Sequence, residues 1–256
     1  MDKEKPGYDC TVGKPASWKR NANMSHPCVV KDAAAFSDVK QGSIGDCFFV
    51  AALAAIASAR KSFLRQALVA YDMEVGVYGV MFCEEMHFTY VIIDDYLAVR
   101  SSSSIKYARS SESRKELWVS ILEKAYFKHM TCLEMCDGGH GGDAIFSFLG
   151  GVWAKYSTPD VSEAKRFWKR VNGALEDGEI MTNAFTRPSK GKYAHMSGED
   201  GQCGEEGLAY GLHDHHCYSF LRTGMVDGHY LFCMRNPWAR GETQLKAVFF
   251  APTTSR

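Results

Sequence analysis

Helical and strand spacings alternate along this chain, and the alternation predicts its elements. From Phe48 to about Met73 the sequence is rich in Ala, Leu and Arg and lacks Pro, which predicts a helix, its first half apolar on every side and so buried. Gly76 to Phe82 and Met86 to Ile93 are β-branched and aromatic and are separated by Glu84-Glu85, which predicts a hairpin. Residues 101–115 are Ser-rich and charged, a predicted surface loop. Helical spacing returns from Glu116 to about His129, with Leu117, Ile121, Leu122, Ala125 and Tyr126 on one side. A glycine run follows (Gly138, Gly139, Gly141, Gly142, then Gly150-Gly151); it reads equally as turn punctuation or as backbone that must approach a neighbour closely.

Beyond the glycines the character changes. Ser162 to Glu176 predicts a further helix, 187–209 a long polar loop, and Tyr218–Leu221 and Tyr230–Met234 strands joined by a Gly224–Gly228 turn. Residues 1–35, with Pro6, Pro15 and Pro27, predict an extended lead-in with little regular structure. The first half is thus helix-rich and the second strand-rich, with a break near Gly150-Gly151. Two lobes built this way would enclose a cleft.

Composition narrows the function classes. At 256 residues with 46% apolar and 23% charged, the chain can bury an ordinary globular core. Thirty basic residues offset thirty acidic ones, so net charge does not point to nucleic acid or an anionic membrane. The first residues lack an apolar leader, and the apolar run from Phe48 to about Ala59 is shorter than the ~20 residues a membrane span requires. Nine cysteines, an odd number in a large chain, predict thiols in a reducing compartment rather than a disulfide framework. Cys132 and Cys136 have half-site spacing for zinc, but no second pair follows, so two small residues at a helix end is the expected reading.

Chemistry concentrates in Gln41-Gly42-Ser43-Ile44-Gly45-Asp46-Cys47-Phe48-Phe49. A cysteine in the first turn of a helix meets free N–H groups and the positive end of the macrodipole, which favour its thiolate. Asp46 is a candidate N-cap. The amide of Gln41 and the Cys47 N–H are candidate oxyanion donors, each worth roughly 3 kcal/mol in the transition state. The alternative is that Cys47 is only a small buried residue on a capped helix. A thiolate nucleophile needs a base, and the base needs an orienting group. His213-Asp214-His215-His216-Cys217-Tyr218 and Met234-Arg235-Asn236-Pro237-Trp238 supply candidates in the order Cys, His, Asn, with Trp238 placed to cover the His–Asn bond.

The first of these segments resembles the calpain family's signature Q-G-x-x-G-D-C-[WYF]-[FL]. Asp94-Asp95 at the end of a strand, Glu116-Leu117-Trp118 followed by Leu122-Glu123-Lys124-Ala125-Tyr126, Phe148-Leu149-Gly150-Gly151, Gly207-Leu208 upstream of His216 and Arg235-Asn236-Pro237-Trp238 match further family motifs in order, over roughly residues 36 to 242. The resemblance implies an α+β, papain-like fold: a helical subdomain at 36–150 carrying Cys47, then a β-rich subdomain at 151–256 carrying His216 and Asn236, with the cleft between them. It implies Cys47 as nucleophile, His216 as acid and base, Asn236 as its orienting residue, Gln41 in the oxyanion hole and Trp238 as a shield. It also implies calcium, with Asp38 (nine residues before the nucleophile) and Glu116 at one site and Glu242 at another. Carboxylate oxygens suit that ion.

The expected activity is calcium-dependent limited proteolysis of cytoplasmic proteins through a thioester. The alternatives are a silent calpain-like domain acting as a regulatory or scaffold module and, with the motifs against it, a transglutaminase-like acyl transferase. Several positions depart from the family pattern. Phe48 stands where the animal enzymes have Trp, and His215 and Cys217 flank His216 where the family usually has Gly and Ala. The spacing of His213, His215 and His216 leaves a metal cluster as a minor alternative. With no EF-hand loop in the sequence, calcium control is expected within the core. The sequence ends twenty residues after Asn236, so the expectation is either a shortened protein or a diverged final segment, Leu245 to Arg256.

Overall fold

The computed structural model describes residues 15–20, 28–31, 34–102, 104–110, 116–155, 164–185, 197–202, 205–208, 213, 215–239 and 245–250. The fold is α+β. In chain order the elements are β1 (Ser17–Arg20), a 3-10 turn (Phe36–Asp38), β2 (Val39–Lys40), α1 (Cys47–Ala59), α2 (Phe63–Ala67), β3 (Leu68–Asp72), β4 (Val77–Glu84), β5 (His87–Asp94), β6 (Tyr96–Val99) and β7 (Arg109–Ser110). Then follow α3 (Trp118–His129), a 3-10 turn (Leu133–Cys136), α4 (Gly141–Leu149), α5 (Ala164–Glu176), β8 (Thr182–Phe185), β9 (Ser197–Gln202), β10 (Glu205–Leu208), β11 (His216–Val226), β12 (His229–Arg235) and β13 (Leu245–Phe250).

Helix α1 is the axis of the larger core. Its residues from Cys47 to Ala57 are all buried, as its lack of a polar face requires. Phe49 stacks on Tyr126 of α3 at 4.4 Å between ring centroids, and Phe82 of β4 and Phe148 of α4 close the cluster at 5.0 Å from each other. Such pairs add about 0.5–1.5 kcal/mol each beyond the area they bury, so they fix how α1 sits against α3, α4 and β4. Gly141 begins α4 against Thr182, whose Oγ1 lies 2.1 Å from where a Cβ would stand. Close approach therefore explains this glycine.

A smaller core lies on an antiparallel sheet ordered β13-β12-β11-β8. Val171 of α5 packs there with Tyr218, Phe220, Phe232 and Met234, and the Trp168 indole N–H donates to the Leu231 carbonyl at 3.0 Å. The two cores are joined directly. Helix α1 packs against β11, and the Ser219 hydroxyl donates to the Ala51 carbonyl at 2.7 Å. The fully buried Arg235 guanidinium donates through Nη2 to the Val39 carbonyl, and the Gln41 N–H donates to the Pro237 carbonyl at 2.9 Å.

Several expectations are corrected. The helix predicted over 48–73 ends at Ala59, where the Arg60 N–H closes on the Ile56 carbonyl, and after α2 the chain becomes β3. Val69 and Tyr71 are strand formers, and pairing with β4, Tyr71 opposite Tyr78, decides their state. The lead-in contains β1, paired with β6. Within the predicted loop 101–115, β7 pairs with β2, and Lys106, Ala108 and Ser110 are buried. The predicted loop 187–209 contains the antiparallel pair β9–β10, and the hairpin turn between β11 and β12 sits at Asp227-Gly228. The predicted hairpin at 76–93 and the helices at 116–129 and 162–176 appear as β4–β5, α3 and α5, with shifts at the ends. Segment 245–250 is β13, paired with β12; the remainder of the final segment lies outside the described residues.

Candidate active site

The site begins with the turn that leads into α1. Gly42 lies against the backbone of Tyr107, with the Tyr107 carbonyl carbon 2.1 Å from where a Cβ would be, and the Ser43 N–H donates to the Lys106 carbonyl at 3.0 Å. Two residues before the thiol, Gly45 is clamped at both of its backbone groups. Its N–H donates to Asp137 Oδ1 at 2.9 Å and its carbonyl accepts the Gly138 N–H at 3.0 Å. Gly138, the first of the glycine run, thus holds the turn in place together with Asp137. Cys47 is the first residue of α1 and is 7% exposed, so its sulfur meets the helix's N-terminal N–H groups in a largely dry setting.

Asp46 occupies the N-cap position, and its backbone carbonyl accepts from Phe49 and Val50 at 2.9 and 3.0 Å. Its side chain makes no capping bond, which corrects the expectation. The carboxyl is fully buried and turned toward Glu123 of α3. Burial raises both carboxyls, Asp46 to about 7 and Glu123 well above its ordinary value.

On the sheet, His216 opens β11, has no exposed surface, and its Nε2 lies 2.8 Å from Asn236 Oδ1. The same Oδ1 accepts the Trp238 N–H at 3.0 Å. An atom that accepts a backbone N–H is the amide oxygen, so the Asn236 amide is oriented and His216 carries its proton on Nε2. That leaves Nδ1 as the basic atom. Trp238 lies 4.3 Å from the His216 ring centroid and 4.3 Å from that of His213, so the indole packs on both imidazoles, which also meet each other edge-on. His213 is held by its N–H donating to the Tyr218 hydroxyl at 3.0 Å. His215 adopts φ +52°, a left-handed conformation that suits glycine better. Cys217 is buried and its thiol is pushed up to about 12 by burial.

Gln41 is nearly buried, and its Nε2 donates to the Ile44 carbonyl at 2.8 Å. One N–H of the amide is therefore committed to the turn and the other remains. Asp38 is buried and faces its own turn, its Oδ2 accepting from the Ala35 N–H at 3.1 Å and its Oδ1 from the Ser37 hydroxyl at 3.2 Å. Glu116, also buried, accepts the Lys31 N–H at 2.8 Å on Oε1 and the Trp118 indole N–H at 3.3 Å on Oε2. The two are linked through the β2–β7 pair, since Val39, next to Asp38, pairs with Ser110, whose hydroxyl donates to Glu116 Oε2 at 3.5 Å. Two buried carboxylates are hard donors of the kind calcium takes, with backbone carbonyls and water to complete the shell. Glu242 lies outside the described residues. Among the described residues no three His, Cys, Asp or Glu side chains converge as a metal site, so the described part of the His213–His216 segment and the Cys132/Cys136 pair form none.

Sequence reading missed Asp137, Glu123 in its contact with Asp46, Ser219 and the packing of His213 on Trp238. The glycines beside Asp137 were the signal available for the first; the others depend on long-range contacts.

The calpain family cysteine protease profile matches residues 7–246. A calpain-type cysteine protease of Oryza sativa (ADL1) is 31% identical over 221 residues, covering 84% of this chain and 9% of the relative. The DEK1 calpain-type protease of Zea mays is 30% identical over 88% of this chain and 10% of its own length. Mouse Calpain-5 is 28% identical over 92% of this chain and 39% of its own. The chain spans about a tenth of those plant proteins and well under half of the animal one.

Proposed function

The chain belongs to the calpain family of cysteine proteases, and from that premise we propose that it is a cysteine endopeptidase with Cys47 as nucleophile, His216 as acid and base and Asn236 as the orienting residue. The observation that carries this reading is the buried 2.8 Å His216–Asn236 bond, roofed by Trp238, on the strand that packs against the helix begun by Cys47. The papain-like arrangement is part of the proposal. Subdomains at 36–150 and 151–256 would face each other across a cleft, α1 from one and β11 from the other.

The thiolate of Cys47 attacks the scissile carbonyl, forming a C–S bond. The peptide nitrogen leaves with a proton from Nδ1 of His216, and a thioester remains. Water then attacks the thioester, giving its proton back to Nδ1, and the acid departs as the thiolate re-forms. Both tetrahedral oxyanions would meet the Cys47 N–H and the second N–H of the Gln41 amide, each worth roughly 3 kcal/mol. Asp38 and Glu116 would hold calcium. Bound there, the ion would brace the β2–β7 pair, and Val39 of β2 accepts from Arg235, the neighbour of Asn236. Glu242 would serve a second site. Unbridged thiols at Cys28, Cys47, Cys83, Cys132, Cys136, Cys217 and Cys233 support a reducing, cytoplasmic setting, with limited cleavage of proteins as the task.

A second reading, a silent module that binds without cutting, draws on the Gln41 amide being turned onto Ile44 and on the shielding of Cys47. Casein cleavage by the purified chain, with calcium and with chelator and with Cys47→Ser as control, separates the two. Calcium-dependent cleavage lost in Cys47→Ser is the expected result. Cleavage that persists in chelator would remove the calcium switch, and no cleavage by folded protein under either condition would favour the silent module.

A further inference from the structure

We propose that Asp46 and Glu123 form a buried, proton-sharing carboxyl pair that positions the nucleophile turn and keeps a full negative charge away from the Cys47 thiolate. The inference rests on Cys47 being the nucleophile. Asp46 is 0% exposed and Glu123 2% exposed, and neither Asp46 oxygen accepts a hydrogen bond from an N–H or hydroxyl among the described residues. A bare carboxylate in that position would be prohibitively costly. The group beside it is another carboxyl, so one proton between them satisfies both.

Glu123 is fixed independently, its Oε1 accepting the Ala108 N–H at 2.8 Å, and the Ala108 carbonyl accepts from Ser120 on the same helix at 2.8 Å. Ala108 belongs to the segment that also holds Gly42 and Ser43. Glu123 therefore ties α3, the 105–110 segment and the N-terminus of α1 together. The other groups acting on the pair are Asp137 from the glycine loop, Tyr126 on α3, Cys136 on the second 3-10 turn and the cation Arg109 on β7.

The sign of the effect follows from burial. Both carboxyls hold a proton more tightly folded than unfolded, so the stability they contribute is complete in acid. It is lost as pH rises from the ordinary carboxylate range to about 7 for Asp46, and further for Glu123. Glu123→Gln would keep the acceptor for Ala108 and offer Asp46 an amide N–H. Asp46 would then be the one carboxyl of the pair, so that any ionisation there places its whole charge beside the thiol. Asp46→Asn removes that charge instead. Glu123 is thus a positioning residue that acts through Asp46.

The test follows three readouts on the full chain. Infrared spectra at pH 6 should show a protonated carboxyl band that Asp46→Asn and Glu123→Gln each diminish. Denaturant unfolding of the unmodified protein should lose stability from pH 5 to 9, with a smaller loss in each variant, which keeps one buried carboxyl. The pH midpoint for alkylation of Cys47 by iodoacetamide should rise by about 1 unit in Glu123→Gln and not rise in Asp46→Asn. Should one variant fail to fold, the band and the other variant still decide. Absence of the band, or equal alkylation shifts in both variants, would overturn the proposal. The first two readouts do not require peptidase activity, so a protein that cuts nothing yet shows the band would sink the functional reading and leave the pair standing.

Discussion

Asn236 Oδ1 receives two hydrogen bonds, from His216 Nε2 at 2.8 Å and from the Trp238 N–H at 3.0 Å, and together these decide which His216 nitrogen is basic. The backbone bond orients the amide, the amide holds the imidazole proton on Nε2, and Nδ1 is left as the atom that would exchange protons with the thiol and the leaving amine in the proposed reaction. The relationship links a turn, Asn236-Pro237-Trp238, to a chemical state.

Asn236→Ala should therefore lower kcat/KM on a peptide substrate by about 10²-fold, the lower range for positioned acid–base groups. Peptide turnover and the alkylation rate of Cys47 should fall together. An unchanged rate would mean that Trp238 packing alone orients His216.

Gly42→Ala should destabilise the protein by ~1–3 kcal/mol, the range for forcing a methyl into packed structure. The obstacle is the Tyr107 backbone 2.1 Å from the added Cβ, which cannot swing aside as a side chain could. Denaturant melts measure the loss, and activity should fall with it because Ser43 and Gln41 lie in the same turn.

Replacing His215 by Gly should stabilise the fold by about 0.5–1 kcal/mol, since φ +52° penalises a side chain and the relief exceeds the added chain entropy. Thermal unfolding would register the gain. A loss would show that the His215 side chain makes contacts outweighing its backbone strain.

Arg235→Met should leave the chain folded but less stable by about 3–5 kcal/mol, because the change removes the bond to the Val39 carbonyl and the cation that faces the buried Asp38, even though Nε and Nη1 lack hydrogen-bond partners. Burial has already pulled this guanidinium down to about 10. Turnover should drop as well, because the bond from Arg235 to the Val39 carbonyl joins the Asn236 strand to the turn carrying Gln41. Unfolding and turnover measured on the same variant separate these effects.

Ser219→Ala should cost about 1 kcal/mol, the net worth of one buried hydrogen bond, by removing the 2.7 Å contact to Ala51 between β11 and α1. Urea melts with unchanged slope would confirm a local loss.

The sequence by itself determined the family and most elements and offered Cys47, His216 and Asn236 as candidates in that order, because those rest on local signals: an apolar run, period-2 alternation and short motifs. It misread 60–72, where the strand formers Val69 and Tyr71 stand alone among helix formers, and pairing with β4 makes Leu68–Asp72 strand. It placed Asp46 as a cap, because a side chain's direction is invisible until α3 supplies Glu123 in the interior. Likewise the sequence offered His216 and Asn236 as candidates twenty residues apart, but only the β11–β12 pairing, Ser219 opposite Arg235, brings them to one end of the sheet. Long-range register and burial are properties of the folded chain as a whole, so the proton positions on His216 and on the Asp46–Glu123 pair were decided by tertiary structure.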